Sequence, residues 1–177
     1  VEIKIKTGEF LREPSDLAVL GCFEDAPLAE EVSALLEPAD FKGRLGQVML
    51  LYPRGALTPR RLLLVGLGKR EKAGAETIRR AAATAIKEAQ KLLVAAVTIS
   101  VQGSLGLDPE AAAQAFAEGI ELGSYRFWRY RTGLTDEQTF TFERATVFTQ
   151  QDEKVSAGVA RGQAIARGVN FARDLVN

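Results

Sequence analysis

Val1, Ile3 and Ile5 alternate with Glu2, Lys4 and Lys6, the two-residue period of a strand with one wet face, as expected at a sheet edge. Three later segments behave differently. Leu17 to Phe23 (LAVLGCF), Val48 to Tyr52 (VMLLY) and Leu62 to Leu67 (LLLVGL) are continuous apolar runs bounded by Gly, Pro or charge, which predicts strands covered on both faces. Val97 to Val101 (VTISV) is a shorter, more alternating strand, and Phe140, Phe142 and Thr146 to Phe148 suggest a last one. Buried strands of this kind require helices on both sides of the sheet.

The helices show the longer period. From Pro27, the residues Leu28, Val32, Leu35 and Leu36 make one stripe that Pro38 stops. Between about Ala75 and Leu93, Ile78, Ala82, Ala85, Ala89 and Leu92 share a face, while Arg79, Arg80, Lys87 and Glu88 point elsewhere. Asp108 before Pro109 reads as an N-cap with proline in the first turn, and Phe116, Ile120, Gly123, Phe127 and Tyr130 recur at helical steps, so this helix is expected to carry most of the aromatics. A final helix is expected from Asp152, with Gly158, Gly162, Ile165, Val169, Ala172 and Val176 on one face. Its two glycines would let another helix or the sheet approach closely. The predicted order is β-β-α-β-β-α-β-α-β-α, an α/β fold with a mixed, largely parallel sheet. Residues 1–150 are expected to form the α/β domain and 151–177 a linking helix.

Composition narrows the chemistry. With 177 residues, 46% hydrophobic, the chain can bury a core of its own, and 23 basic against 23 acidic residues leave no net field to draw in nucleic acid or an anionic membrane. No apolar stretch approaches the roughly 20 residues a membrane helix needs, and the alternating start lacks a signal peptide's apolar centre, so a cytoplasmic location is expected. The first residue is Val and the last helix has no stop signal, which suggests a piece of a longer chain. Cys22, the single cysteine, lies in an apolar run and is expected to be a reduced core residue.

With no histidine and one cysteine, imidazole and thiolate zinc sites and Ser-His or Cys-His nucleophile pairs are ruled out. An all-carboxylate metal site stays open in principle. The acidic pairs Glu24-Asp25, Glu30-Glu31, Asp136-Glu137 and Asp152-Glu153, however, fall at helix starts or in loops, where capping and the helix dipole account for them. The most ligand-like motif is Val65-Gly66-Leu67-Gly68-Lys69, a Gly-rich turn after a buried strand that can bring N–H groups to a phosphate. It misses both nucleotide fingerprints: position 71 is Glu71 where a third glycine belongs, and Lys69 is followed by Arg70 rather than Ser or Thr. Tight-turn packing is the simpler reading. The cluster Tyr125-Arg126-Phe127-Trp128-Arg129-Tyr130-Arg131 could stack on bases, but on a helix Phe127 and Tyr130 would continue the core stripe.

Three segments together resemble the leucyl aminopeptidase family: LLLVGLGK (Leu62 to Lys69), AEGIELGSYRFWRYR (Ala117 to Arg131) and GQAIARGVNFARDLVN (Gly162 to Asn177). The last is the most specific, because Ala172 to Asn177 is similar to the segment that joins the family's N-terminal domain to its catalytic one. The resemblance spans essentially the whole chain. It implies a non-catalytic N-terminal assembly domain with a macro-domain-like, three-layer fold. Its partners would be an absent C-terminal catalytic domain and the other subunits of a homohexamer. It also implies a parent hydrolase that removes N-terminal residues from peptides with two divalent ions, zinc, manganese or magnesium, all held by the absent domain. No residue of this chain is therefore assigned a catalytic, cofactor-binding or metal-ligating role. Two other readings stay open: a stand-alone module binding a nucleotide or ADP-ribose at Gly66 to Lys69, and a nucleic-acid surface at Arg126, Arg129 and Arg131, which the zero net charge disfavours.

Overall fold

A computed structural model describes residues 1–101, 106–126, 133, 135, 139–149 and 153–176. Among the described residues, six strands and four α-helices follow one another in the predicted order: β1 (Glu2–Lys6), β2 (Ala18–Phe23), α1 (Glu30–Ser33), β3 (Val48–Leu51), β4 (Leu62–Gly68), α2 (Ala75–Lys91), β5 (Ala96–Val101), α3 (Pro109–Ser124), β6 (Arg144–Phe148) and α4 (Glu153–Val176). The strands form one sheet in the order β1-β6-β5-β2-β4-β3. All neighbours are parallel except β3, which runs antiparallel to β4. The fold is α/β with a mixed, mostly parallel sheet, as the hydrophobic runs predict.

The central strands β2 and β4 are buried at every residue, since each has a strand on both edges and a layer on both faces. On one face Leu17, Val19, Leu63, Val65, Val97 and Ile99 pack under α2 and α3. On the other, Ala18, Leu20, Cys22, Leu62 and Leu64 pack against Phe10, Val32 and Phe41. The two covers are unequal: three long helices shield the first face, whereas one-turn α1, a 3-10 turn at Phe10–Arg12 and loops shield the second. The predicted stripe from Pro27 does meet the core through Leu28, Val32, Leu35 and Leu36, but only Glu30–Ser33 closes as α-helix.

Three other expectations need correction. Val48 to Leu51 is only partly covered: Leu50 packs on one face and Met49 and Leu51 on the other, but β3 is the last strand of the sheet, with Val48 40% exposed and Tyr52, just past its end, 56% exposed. Helix α3 closes at Ser124 because Tyr125 takes an extended conformation (ψ 130°), so it ends before the aromatic cluster; Phe127 to Arg131 lie outside the described residues. Phe142 is buried in the core but precedes β6, which begins at Arg144. The predicted cap does form, with the Asp108 carboxylate accepting from the Ala111 N–H at 3.1 Å.

Helix α4 lies beside α3 and runs in the same direction. A Cβ on Gly158 would stand 2.3 Å from the Glu110 carbonyl oxygen, and one on Gly162 2.4 Å from that of Gln114. Neither distance is tolerable between non-bonded atoms, so the two glycines set how closely the helices approach. Gly168, further along the same helix, meets nothing within 4 Å. Gly162→Ala is therefore expected to destabilise the chain by about 1–3 kcal/mol through overpacking, while Gly168→Ala stabilises it by about 0.5–1 kcal/mol. Paired urea unfolding curves check both signs.

Candidate functional site

The Gly-rich turn is the first place to look for a ligand, because it sits at the carboxyl end of β4, where open α/β sheets bind them. Its two glycine donors are already used. Gly66 N–H donates to the Gln47 carbonyl at 2.7 Å and Gly68 N–H to that of Gly43 at 2.8 Å. The loop that supplies those carbonyls lies so close that a Cβ on Gly66 would stand 2.0 Å from the Arg44 carbonyl oxygen, and Gly68 needs its positive φ of 74° to turn past Leu45. Both glycines thus serve packing, and neither N–H is available to a phosphate. Just beyond, Asp25 accepts from the Arg70 N–H at 3.1 Å and the Arg70 guanidinium lies 4.9 Å from the Phe23 ring centroid. An open depression of about 480 Å³ remains beside the end of β2, lined mainly by Phe23, Leu28, Leu36, Pro38, Phe41 and Lys42.

Cys22 is fully buried on β2, and its thiol donates to the Leu20 carbonyl at 3.4 Å. Burial pushes the thiol pKa up to about 12, because the thiolate would lose its hydration. The raised value means the folded chain holds a proton that the unfolded chain releases. Stability is therefore expected to fall as pH climbs from about 9 towards 12. A disulfide reagent should leave native Cys22 unmodified at pH 8 and react with it fully in denaturant, which mass spectrometry reads directly.

Two buried carboxylates on α3 were not foreseen from the sequence. Glu118 accepts from Arg79 Nε at 2.6 Å and from Gln114 Nε2 at 2.7 Å, tying α2 to α3. Glu121 accepts from Gln163 Nε2 at 2.7 Å and has the Arg167 guanidinium at 3.8 Å, while its main-chain carbonyl takes Asn170 Nδ2 at 3.3 Å. Both face protein partners rather than a cleft. Among the described residues no three His, Cys, Asp or Glu side chains converge on a point where a metal ion would sit. Of the four predicted acidic pairs, Glu30-Glu31 lies in the first turn of α1 and Glu153 in that of α4. Asp136, Glu137 and Asp152 fall outside the described residues.

The polar contacts continue along α4. Tyr125 donates its hydroxyl to Asp174 at 2.7 Å, and the Arg173 guanidinium lies 5.5 Å from the Tyr125 ring centroid. The apolar face predicted to run on from the glycines does not do so. Around and past Ala166 the side of α4 turned to α3 carries Gln163, Asn170 and Asp174, and Ile165, Val169, Ala172 and Val176 turn outward. Phe171, which the periodicity did not single out, joins them at 65% exposure, with Leu175 at 69%. The distal half of α4 is thus held by polar contacts and leaves an apolar flank open, the feature of this molecule that most resembles a binding surface.

The fold and this flank define an α/β unit with one open apolar surface, and comparison with known proteins identifies its family. Residues 10–133 match the Cytosol aminopeptidase family, N-terminal domain, and the chain belongs to that family. A probable cytosol aminopeptidase of Roseiflexus castenholzii is 39% identical over 179 residues, and one of Geobacter sp. strain M21 36% identical over 191. Both alignments take in the whole chain, yet the chain spans only 37% and 38% of those relatives. A tomato leucine aminopeptidase mutant superposes on the whole chain with a TM-score of 0.81 at 22% identity, a likeness of fold, and the chain covers 38% of it. The bottromycin maturation enzyme BotP, solved in complex with Mn, gives a TM-score of 0.72 at 27% identity, with 92% of this chain and 32% of that one covered. Among the described residues no helix is long and apolar enough to cross a membrane.

Proposed function

We propose that this chain is the non-catalytic assembly domain of a cytoplasmic two-metal leucyl aminopeptidase, an enzyme that removes N-terminal residues from peptides. The observation that carries the reading is the apolar flank of α4 from Ile165 to Val176, open here and lying in the segment that resembles the family's link to its catalytic half. The relatives' greater length supports it. In this reading residues 1–150 form the domain proper. Residues 151–177 form a linking helix, its first half packed on α3 and its second offered to the catalytic domain. Subunits of a homohexamer are the remaining partners.

Among the described residues the donor set does not fit the two divalent ions, zinc, manganese or magnesium, on which such an enzyme depends. Histidine is absent, Cys22 is buried and protonated, and Glu118 and Glu121 are engaged by Arg79, Gln114 and Gln163. The ions, which would polarise the scissile carbonyl and supply a hydroxide nucleophile, belong to the catalytic domain. What this chain contributes is a rigid platform.

The second reading, a stand-alone macro-like module for a nucleotide or ADP-ribose, has in its favour the depression beside β2 and against it the two occupied glycine N–H groups. One purified sample separates them. With manganese or zinc added, the chain is expected to show no turnover of leucine p-nitroanilide and no heat of binding with millimolar ADP-ribose. Chelator-sensitive turnover would overturn the first reading, and saturable heat would establish the second.

A further inference from the structure

The two edges of the sheet are built differently. On β1 the strand carries its own charges, and they are paired: Glu2 with Lys4 at 3.3 Å and Arg144 at 2.5 Å, and Lys6 with Glu13 at 2.7 Å. Such an edge resists pairing with another chain. The β3 edge, Val48-Met49-Leu50-Leu51, has no charge at all.

The antiparallel register decides which backbone groups β3 leaves open. Because the Gln47 carbonyl accepts from Gly66, Met49 and Leu51 turn their N–H and C=O toward β4, and Val48 and Leu50 turn theirs outward. Those outward groups have no hydrogen-bond partner among the described residues. Leu45, Val48 and Tyr52 are exposed beside them.

The surroundings are strongly basic. From residue 41 to residue 70 the chain has seven cations, Lys42, Arg44, Arg54, Arg60, Arg61, Lys69 and Arg70, and no Asp or Glu, although its overall charge is zero. Lys42 and Arg44 precede β3 at the end where Val48 meets Val65, and Arg54, Arg60 and Arg61 flank the end where Leu51 meets Leu62. None of these five has an ion-pair partner among the described residues.

We propose that β3 is a docking edge for an extended polypeptide segment of another protein, apolar at its centre and acidic at both ends. The open N–H and C=O groups would give it a seventh strand, the exposed apolar side chains would take its alternate residues, and the two basic ends would fix its position. The same charges argue against a second copy of this chain as the occupant. Edge-to-edge pairing across a two-fold axis would set Arg44 of one copy beside the Arg54–Arg61 loop of the other, like charge against like. A nucleic acid would satisfy the cations but not the unpaired backbone groups.

The test is fluorescence anisotropy with the full 177-residue chain and a labelled nonapeptide, Asp-Glu-Val-Thr-Val-Thr-Val-Glu-Asp. Saturable, salt-sensitive binding is expected. It should weaken about tenfold or more in Val48→Pro, which removes an outward N–H that β4 does not use, and similarly in the double variant Arg54→Glu with Arg60→Glu. If Val48→Pro fails to fold by its thermal unfolding curve, a peptide N-methylated at alternate residues asks the same question of the unaltered protein and should not bind. The proposal is overturned by no saturation at millimolar peptide, by equal binding of the N-methylated peptide, or by competition from a mixed-sequence DNA duplex. A chain dimer in sedimentation that Val48→Pro abolishes would overturn it in favour of a second copy.

Discussion

The helical layer depends on how close α3 comes to its neighbours. On one side Gly158 and Gly162 bring α4 to within a distance that no Cβ could occupy. On the other a Cβ on Gly119 would stand 2.3 Å from the Arg79 carbonyl oxygen of α2. The buried part of α3 is correspondingly small-sided, with Ala112, Ala113, Ala115 and Ala117 beside Phe116 and Ile120. Close contact of this kind fills space with backbone rather than side chains, so it is specific: a single added methyl forces a whole helix to move. It also fixes α2, α3 and α4 as one layer over the sheet.

That constraint fades along α4, and its fading shapes the surface. Up to Ala166 the helix is held by close apolar contact with α3 and the first strand. Beyond it the attachment passes to Glu121, Tyr125 and their partners. Glu121 is buried, where an unpaired carboxylate would be costly, so its contacts with Gln163 and Arg167 are needed as well as favourable. A helix held by polar side chains on one flank can leave the other flank apolar and open. This is how a chain with a buried core of its own can still expose Phe171 and Leu175. The β3 edge extends the same contrast to the opposite side of the molecule, with one sheet edge guarded by paired charges and the other left unguarded.

Much of this was legible in the residues, for physical reasons. Runs such as Leu62 to Leu67 declare strands covered on both faces, Asp108-Pro109 declares a helix start, and the glycine pair on α4 announced a close approach. Where reading failed, the deciding contact lay far away in sequence. Val48 to Leu51 has the composition of an interior strand, and only the sheet order makes it an edge. Glu118 and Glu121 look like ordinary surface charges until Arg79 and Gln163, 39 and 42 residues distant, enclose them. Helix α2 ends at Lys91 without a glycine after it: Leu93 adopts φ 54° in its place, and Val94 N–H closes back on the Ala89 carbonyl at 2.9 Å. For the candidate site, the resemblance pointed to residues 151–177 as a linking segment. The periodicity set Val169 and Val176 on the glycine face, and the switch of α4 from apolar to polar attachment needed the position of Glu121.

The central claim is that the distal flank of α4 is a surface prepared for the rest of a longer protein. Hydrogen exchange along α4 tests it, measured in this chain alone and again in a chain extended to the full length of its relatives. The account predicts that amides between residues 165 and 176 exchange quickly in the short chain and gain strong protection in the extended one, while those between 155 and 162 are protected equally in both. Unchanged exchange across 165–176 would contradict it, because the flank would then be open surface in the extended chain too.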